Sequence, residues 1–162
     1  MRPVISSVAS GLTAVLLAAT LIGCGPLGPI PGGKLRGEPA PATPPGWDSA
    51  LGVEQIQVET NPADPHSVNT WCIVHEGGLY VPTSLILGAD EPSERRWVRN
   101  VLEDPRVRVR IDGAVYELRA TKVEDSQQRD VVRAALLEKY DVEPDAHSDQ
   151  AWIFRMEPRR SP

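Results

Sequence analysis

Residues Arg106–Ile111 alternate strictly between arginine and an aliphatic residue, and a second run, Ala114–Ala120, follows after Asp112-Gly113. Successive side chains of a β-strand point to opposite faces, so each run predicts a strand with one buried face. Asp-Gly between two such runs is a strong signal for a two-residue type I′ turn, which joins them as an antiparallel hairpin. A turn of this length also fixes the register, and it places Arg106 opposite Arg119, Arg108 opposite Glu117 and Arg110 opposite Val115.

The chain after Asp48 contains further strands and two helices. The strands are predicted at Gln55–Thr60, Trp71–His75, Leu79–Val81 and Trp152–Phe154, with a turn at Glu76-Gly77-Gly78. Ser93 is a suitable cap for a first helix that Asp104-Pro105 ends, and a second helix is predicted over residues 126–140. Because consecutive hairpins favour an antiparallel sheet, we expect a mainly β domain with two helices, curled into a small antiparallel barrel.

The N-terminal segment carries the signals of export. No charged residue occurs between Arg2 and Lys34, and Val8 to Ile22 is an apolar run. This run is shorter than the about 20 residues that a membrane-spanning helix needs. A basic start, a short apolar centre and a small residue before a cleavage site describe a secretory signal peptide.

The signal segment ends in Leu21-Ile22-Gly23-Cys24, which resembles the lipobox of bacterial lipoproteins. The resemblance implies a signal peptide at residues 1–23, cleavage before Cys24, and the lipid bilayer as a partner through the acylated thiol. It also implies a place in the bacterial cell envelope, and Gly25 is typical of lipoproteins sent to the outer membrane, facing the periplasm. The alternative is an ordinary signal peptide followed by a chance cysteine.

A tether follows the signal segment. Residues 25–47 contain seven prolines and six glycines, a composition that prefers extended, solvated backbone. We therefore expect residues 24–47 to form a tether and residues 48–162 to form the domain. A second interpretation is that residues 33–37 dock on the domain as an edge strand, where proline is tolerated.

Composition argues against several kinds of site. The chain has 17 basic and 22 acidic residues, and this balance argues against nucleic acid as a partner. Two cysteines are too few for a disulfide framework or a four-ligand zinc site. Cys72 and His75 lie three apart on a predicted strand, so their side chains point to opposite faces. We expect no metal site, and we expect Cys72 to be a small buried residue.

Trp97-x-x-Asn100, then Pro105-x-Val107-x-Val109 and a hairpin that carries Tyr116, resembles the split β-barrel flavin and deazaflavin reductases, a nitroreductase-like family. The similarity extends over residues 70–140. It implies an FMN-binding-barrel-like split β-barrel, FMN or a deazaflavin as cofactor, and basic residues at the cofactor phosphate. In that family the cofactor lies near a dimer interface, so the resemblance leaves a homodimer open.

Arg106, Arg108 and Arg119 are the candidate ligands of an anion or a cofactor. Arg106, Arg108 and Arg110 point from one face of the predicted strand, and three guanidinium groups in line can bind phosphate or another acidic ligand. The other interpretation is a solvated outer face, in which Arg108 pairs with Glu117 across the hairpin. The end where Arg106 opposes Arg119 is the best candidate, because the two like charges repel each other unless an anion or acidic group lies nearby.

Two functional classes remain. The deazaflavin reductases carry a Gly-Arg-Lys-Ser-Gly loop before the first hairpin, where this sequence has Asn61–Ser67. A chain that is exported unfolded must also acquire its cofactor outside the cytosol. We therefore expect a membrane-anchored envelope lipoprotein that binds a small anionic ligand or a partner without catalysis and without a cofactor. A flavin- or deazaflavin-dependent reductase is the alternative.

Overall fold

The computed structural model describes residues 31–37, 39–40, 44, 46–85 and 91–159, and these contain one antiparallel sheet of seven strands. The strands are β1 (Gln55–Thr60), β2 (His66–Trp71), β3 (Ile73–His75), β4 (Gly78–Pro82), β5 (Arg106–Ile111), β6 (Ala114–Lys122) and β7 (Ile153–Pro158). The helices are α1 (Arg96–Glu103), α2 (Ser126–Tyr140) and α3 (Ala146–Gln150), with 3₁₀ turns at Asp48–Ala50 and Pro92–Glu94.

The sheet curls until its two ends meet. Its strand order is β2-β1-β5-β6-β7-β4-β3, so β2 and β3 lie at opposite ends of the order although only Cys72 separates them in sequence. Near this corner the hydroxyl of Thr70 on β2 donates to the carbonyl oxygen of Pro82 on β4 at 3.5 Å. The predicted split β-barrel of antiparallel strands is therefore confirmed.

The hairpin of β5 and β6 forms as predicted. Asp112 and Gly113 have φ angles of 46° and 84°, and a type I′ turn requires positive values at both positions. Arg106 lies opposite Arg119 and Arg108 opposite Glu117, so the predicted register is confirmed. Glu76 and Gly77, with φ of 47° and 72°, make a similar two-residue turn between β3 and β4.

Apolar side chains fill both sides of the curled sheet. The inner side holds alternate residues of the strands, and α1 covers it with Trp97, Val98 and Val101. On the other side, α2 packs Val132 and Leu136 against a second cluster that includes residues of β3, β4 and β7. The two helices therefore hold the sheet from opposite sides.

Residues 31–37 and 39–40 cross the outer face of the sheet, and we call this segment the strap. Gly32 forms an antiparallel bridge with Ser67 on β2, and Pro39 forms a parallel bridge with Val115 on β6. Between these points Leu35 is only 2% exposed. Residues 33–37 therefore dock on the domain, although they cross the strands instead of extending an edge. Trp47 is buried as well, with its ring 5.1 Å from that of Tyr116, so the packed unit includes residues before Asp48.

Three elements differ from the sequence-based expectations. β2 was not predicted, because its polar residues Ser67 and Asn69 alternate with few apolar ones and the strap, not water, covers Ser67. The first helix begins at Arg96, and Ser93 lies in the preceding 3₁₀ turn instead of capping it. α3 is a third helix, which a capping box between Asp145 and Ser148 stabilises.

Two of the sequence predictions concern membranes and metals. Among the described residues, no helix is long and apolar enough to cross a membrane. The predicted signal segment and Cys24 lie outside the described residues. In the described part of the chain, no three histidine, cysteine or acidic side chains are arranged to hold a metal ion.

Candidate active site

A cleft of about 300 Å³ opens where β2 and β4 end, and we call it the edge cleft. Eight of the described residues line it: Gln55, Asn69, Thr70, Trp71, Pro82, Thr83, Ser84 and Arg95. These described residues offer two amides, three hydroxyls, one indole and one guanidinium group. The described lining of the edge cleft is therefore polar and carries one cation, Arg95.

The barrel fixes the polar wall of the edge cleft. The side-chain oxygen of Asn69 accepts a hydrogen bond from the amide of Gln57 at 2.9 Å. The hydroxyl of Thr83 accepts the N–H of Trp152 at 3.1 Å, and the N–H of Thr83 donates to the carbonyl oxygen of Trp152 at 2.9 Å. Arg95 immediately precedes α1, so the packing of that helix on the barrel sets its position.

The last residue of α2, Tyr140, packs against the indole of Trp71. The two rings stack, with centroids 4.3 Å apart and an angle of 6° between the planes. The Tyr140 hydroxyl accepts the N–H of Cys72 at 3.0 Å and lies 2.7 Å from the carbonyl oxygen of the same residue. Lys139 donates to that carbonyl oxygen at 2.8 Å and to the one of Val53 at 2.6 Å. The corner between β2 and β3 is thus fixed together with the aromatic wall.

The Cys72 thiol and the Tyr140 hydroxyl near Trp71 are neutral at pH 7. Burial raises the pKa of the Cys72 thiol to about 11, and nearby Lys139 only partly opposes this. Burial also raises the pKa of the Tyr140 hydroxyl to about 12. Cys72 is fully buried, so it is the small core residue that the sequence predicts and not a nucleophile.

The predicted anion ligands Arg106 and Arg119 lie near the other end of β1. They line a concavity of about 800 Å³ together with Glu157, Pro158 and Arg159, and we call it the arginine hollow. Arg106 and Thr60 both line an adjoining concavity, and Thr60 is the last residue of β1. The first residue of β1, Gln55, lines the edge cleft. The length of β1, about 17 Å, therefore separates the two sites.

The charges in the arginine hollow are unequally compensated. Arg106 donates to the carboxylate of Asp104, with Nη2 at 2.6 Å from Oδ2. This hydrogen bond holds the pKa of the Asp104 carboxyl below its usual value. The side chain of Arg119 has no hydrogen-bonding or ionic partner among the described residues.

Arg108 is separated from this pair. It faces Glu117 in register, as predicted, but its Nη1 lies 3.0 Å from Oε2 of Glu59 and 3.2 Å from the carbonyl oxygen of Leu35. Its side chain is only 19% exposed. The solvated face predicted as one interpretation is therefore wrong for Arg108, because the strap covers it and β1 supplies its ion partner.

The motif residues Trp97, Asn100 and Pro105 line neither the edge cleft nor the arginine hollow. Trp97 packs edge-on against Phe154, with ring centroids 5.3 Å apart. The amide of Asn100 donates to the hydroxyl of Thr60 at 2.9 Å. The carbonyl oxygen of Pro105 accepts the N–H of Ala120 at 2.9 Å. These contacts seat α1 on the barrel and start β5, so the motif specifies the fold.

The sequence model of the F420H(2)-dependent quinone reductase family matches residues 66–151, just over half of the chain. The chain belongs to this family. The match begins at the first residue of β2 and ends after α3, so it contains all of the edge cleft except Gln55. Of the arginine hollow it contains only Arg106 and Arg119.

Solved structures share the fold. A conserved hypothetical protein from Mycobacterium tuberculosis, Rv2991, is 20% identical with a TM-score of 0.54, over 70% of this chain and 78% of that one. HutZ, a heme storage protein from Vibrio cholerae, is 20% identical with a TM-score of 0.52, over 68% of this chain and 84% of that one. An F420-H2-dependent reductase, FDR-A, is 19% identical with a TM-score of 0.49, over 65% and 95%. No curated protein is similar enough in sequence to count as a relative.

Membership of the F420H2-dependent quinone reductase family favours the reductase over the non-catalytic lipoprotein that the sequence analysis ranked first. That ranking depended on the export of an unfolded chain, which must acquire its cofactor outside the cytosol, and on the absent basic loop. In the folded chain Arg95, which immediately precedes α1, supplies a cation to the edge cleft. Arg95 is distant in sequence from residues 61–67, where the basic loop of the family was expected. The edge-cleft residues were missed because β2 was not predicted. The one sequence feature that pointed to the edge cleft was Arg95, because it lies two residues before the motif residue Trp97.

Proposed function

We propose that this chain is a deazaflavin-dependent reductase that binds F420 in the edge cleft and reduces a quinone-type acceptor. The main support for this proposal is that seven of the eight described edge-cleft residues lie within residues 66–151, the segment that matches the family model. A site that a family shares must be built from residues that its members share. Seven of the described edge-cleft residues lie within the matched segment, whereas the arginine hollow includes Glu157, Pro158 and Arg159 beyond it.

The donor set of the edge cleft fits the proposed cofactor. F420 has a flat tricyclic ring with polar edges and a side chain that carries phosphate. The indole of Trp71 offers a flat surface held by Tyr140, and the amides of Gln55 and Asn69 can pair with ring-edge oxygen and nitrogen atoms. Arg95 supplies a guanidinium group for the phosphate. A volume of about 300 Å³ is at the lower limit of ligand sites and suits the ring better than the whole molecule.

The chemistry follows from this arrangement. When bound, the reduced deazaflavin supplies a hydride to an acceptor. The chain's own residues would hold the cofactor, with Trp71 contacting the ring and Arg95 binding the phosphate. The described lining residues supply hydrogen-bond donors, acceptors and one cation, so their part in this proposal is to bind and orient the cofactor.

A quinone acceptor is consistent with the anchoring that we also propose, in which cleavage precedes Cys24 and the thiol is acylated. Gly32, which pairs with β2, is eight residues after Cys24. Eight extended residues span at most about 28 Å, so β2 and the edge cleft would stay near the lipid surface that dissolves quinones. In this proposal the chain is exported unfolded, and the cofactor is loaded after export.

The first test is binding of the cofactor. The full-length protein, purified in neutral detergent, is titrated with F420, with a deazaflavin lacking the phosphate, and with FMN, and the fluorescence of each is followed. We expect F420 to bind most tightly. Arg95→Gln removes one charge-assisted hydrogen bond, worth about 1.5–3 kcal/mol, so the Kd for F420 should rise roughly 10- to 100-fold. The Kd of the analogue without phosphate should be unchanged.

The control and the contrary results are specific. Arg99→Gln removes the same charge from an exposed position on α1 and should leave F420 binding unaltered. Reduced F420 mixed with menadione should be oxidised faster with the wild type than with Arg95→Gln. A wild-type protein that binds none of the three compounds would contradict the proposed function. If the wild type binds FMN more tightly than F420, the cofactor proposed for the edge cleft would be a flavin instead of a deazaflavin.

A further inference from the structure

The arginine hollow lies at the end of the barrel away from the edge cleft and shares no lining residue with it. We propose that it is a second binding site, in which Arg106 and Arg119 hold a phosphate group from opposite sides. This inference does not depend on the proposed function, since the ligand is an anion and not the redox cofactor.

The register of β5 and β6 places two like charges side by side in the arginine hollow, and Glu157 lies opposite Arg119 on its other side, on β7. Arg106 and Arg119 are direct cross-strand partners, and like charges in this position destabilise a sheet. Asp104 forms an ion pair with Arg106 at 2.6 Å, whereas no described carboxylate, Glu157 included, forms an ion pair with the Arg119 side chain. An anion with two or more oxygen atoms between the guanidinium groups removes the repulsion and matches their forked donor geometry.

Arg159 gives the arginine hollow a rigid third wall. Its Nε donates to the carbonyl oxygen of Leu118 at 3.1 Å and its Nη2 to that of Val107 at 2.8 Å. Its Nη1 lies 3.2 Å from a carboxylate oxygen of Glu117. The guanidinium group is therefore fixed across β5 and β6 before any ligand arrives, which lowers the entropic cost of binding.

The surroundings extend the positive charge. Arg106 and Arg159 also line an adjoining concavity of about 310 Å³, which adds Lys34 from the strap. Among the described residues, five cationic and three acidic side chains line the two concavities, and Asp104 beside Arg106 adds a fourth carboxylate, whereas the whole chain has a formal net charge of −5. A local positive potential on an acidic protein steers anions to this surface.

The size of the arginine hollow favours a phosphate that belongs to a larger molecule. A volume of about 800 Å³ is within the range of sites for whole organic ligands and exceeds the need of a free inorganic ion. The shared chemistry is a phosphate ester, which has two sources: the headgroup of an anionic lipid or a free organic phosphate.

The test compares the two sources on the full-length protein in neutral detergent. Glycerol 3-phosphate is added as the free ester, and phosphatidylglycerol is added to the micelles as the lipid ester, with phosphatidylcholine of the same chains as reference. Thermal unfolding and calorimetric titration are measured, because a ligand of the native state raises its stability. We expect phosphate-ester binding to weaken by about tenfold or more in Arg119→Gln and further in Arg106→Gln/Arg119→Gln.

Each outcome decides the proposal. Binding of glycerol 3-phosphate assigns a free ester, and stabilisation by phosphatidylglycerol alone assigns a lipid headgroup. Arg99→Gln, which removes an equal charge elsewhere, should retain wild-type affinity. An equal loss in Arg99→Gln would show general charge attraction and overturn the proposal, as would the absence of any response to both esters. The unfolding midpoints without ligand establish that each variant is folded.

Discussion

Arg108 and Glu59 face each other across β5 and β1, and their charged groups meet beneath the strap at 3.0 Å. The main chain of Leu35 completes the arrangement, since its N–H donates to the Glu59 carboxylate and its carbonyl oxygen accepts from Arg108. The side chain of Glu59 is only 5% exposed. The strap is therefore fixed to the sheet by a largely buried ion pair as well as by apolar packing.

Glu59→Gln should destabilise the protein by about 3 kcal/mol, because it leaves the Arg108 guanidinium buried without its counter-charge. Urea unfolding followed by circular dichroism measures this change. The double variant Glu59→Leu/Arg108→Met removes both charges and should cost less than Glu59→Gln alone. A double variant that is no more stable than Glu59→Gln would mean that the ion pair does not hold the strap.

Gly37→Ala should detach the strap from β6. A Cβ atom at Gly37 would lie 2.8 Å from the carbonyl oxygen of Gly113 and from Val115 Cγ2, and its φ of 149° is unfavourable for other residues. We expect a loss of more than about 1 kcal/mol and faster hydrogen exchange around residues 32–40. Gly52→Ala is the matched control, since its Cβ meets nothing within 4 Å. Equal effects of the two substitutions would contradict the tight crossing at Gly37.

The β5–β6 hairpin could be predicted from the sequence because its information is local. Alternation specifies the faces, and Asp112-Gly113 specifies the turn and hence the register. The environment of Arg108 could not be predicted in this way. Its partners Glu59 and Leu35 are 49 and 73 residues away in sequence, and no short-range pattern relates them.

The edge cleft could not be predicted from the sequence for a similar reason. Asn69 and Trp71 belong to a strand with weak alternation, and Arg95 comes from the start of a helix. Closure of the curled sheet near Thr70 and Pro82 brings them together, and that closure depends on long-range strand order. The motif residues Trp97, Asn100 and Pro105 were visible because they specify local structure, which also explains why they identify the family without lining the cleft.

The stability of the protein should fall as the pH rises from about 9 to about 12. The pKa of Cys72 increases from 9.0 to about 11 on folding, so the native state keeps a proton that the unfolded state releases in that interval. Stability is then lost with increasing pH, by roughly 2–3 kcal/mol for a two-unit difference. The pKa of Tyr140 increases from 10.0 to about 12 and extends the loss.

Substitution separates the two groups in urea unfolding at pH 8 to 12. Cys72→Ala should flatten the pH dependence between 9 and 11, whereas Tyr140→Phe should flatten its upper part. Tyr140→Phe should also lower stability at pH 7 by about 1–3 kcal/mol, because the N–H of Cys72 loses its acceptor. An unchanged slope in Cys72→Ala would place the alkaline transition in another group.

Asn100→Ala should lower stability and leave cofactor binding intact. The change removes the hydrogen bond from the Asn100 amide to the Thr60 hydroxyl, with an expected cost of about 1 kcal/mol. Below the unfolding temperature, the Kd for F420 should match that of the wild type, in contrast to Arg95→Gln. A Kd that rises for Asn100→Ala without loss of stability would assign this motif residue to the cofactor site.

Cys24→Ser should abolish fatty-acid attachment, since we propose that the Cys24 thiol is the acylated group. The chain contains two cysteines, and the second, Cys72, is buried with its pKa raised to about 11, so it offers no thiolate for modification. Cells that express each variant are labelled with palmitate, and the purified protein is weighed by mass spectrometry. Wild type and Cys72→Ala should both carry lipid and lack residues 1–23, whereas Cys24→Ser should carry none. Label that persists in Cys24→Ser, or an unlabelled wild type that retains its N-terminal segment, would mean that this segment is not a lipoprotein signal.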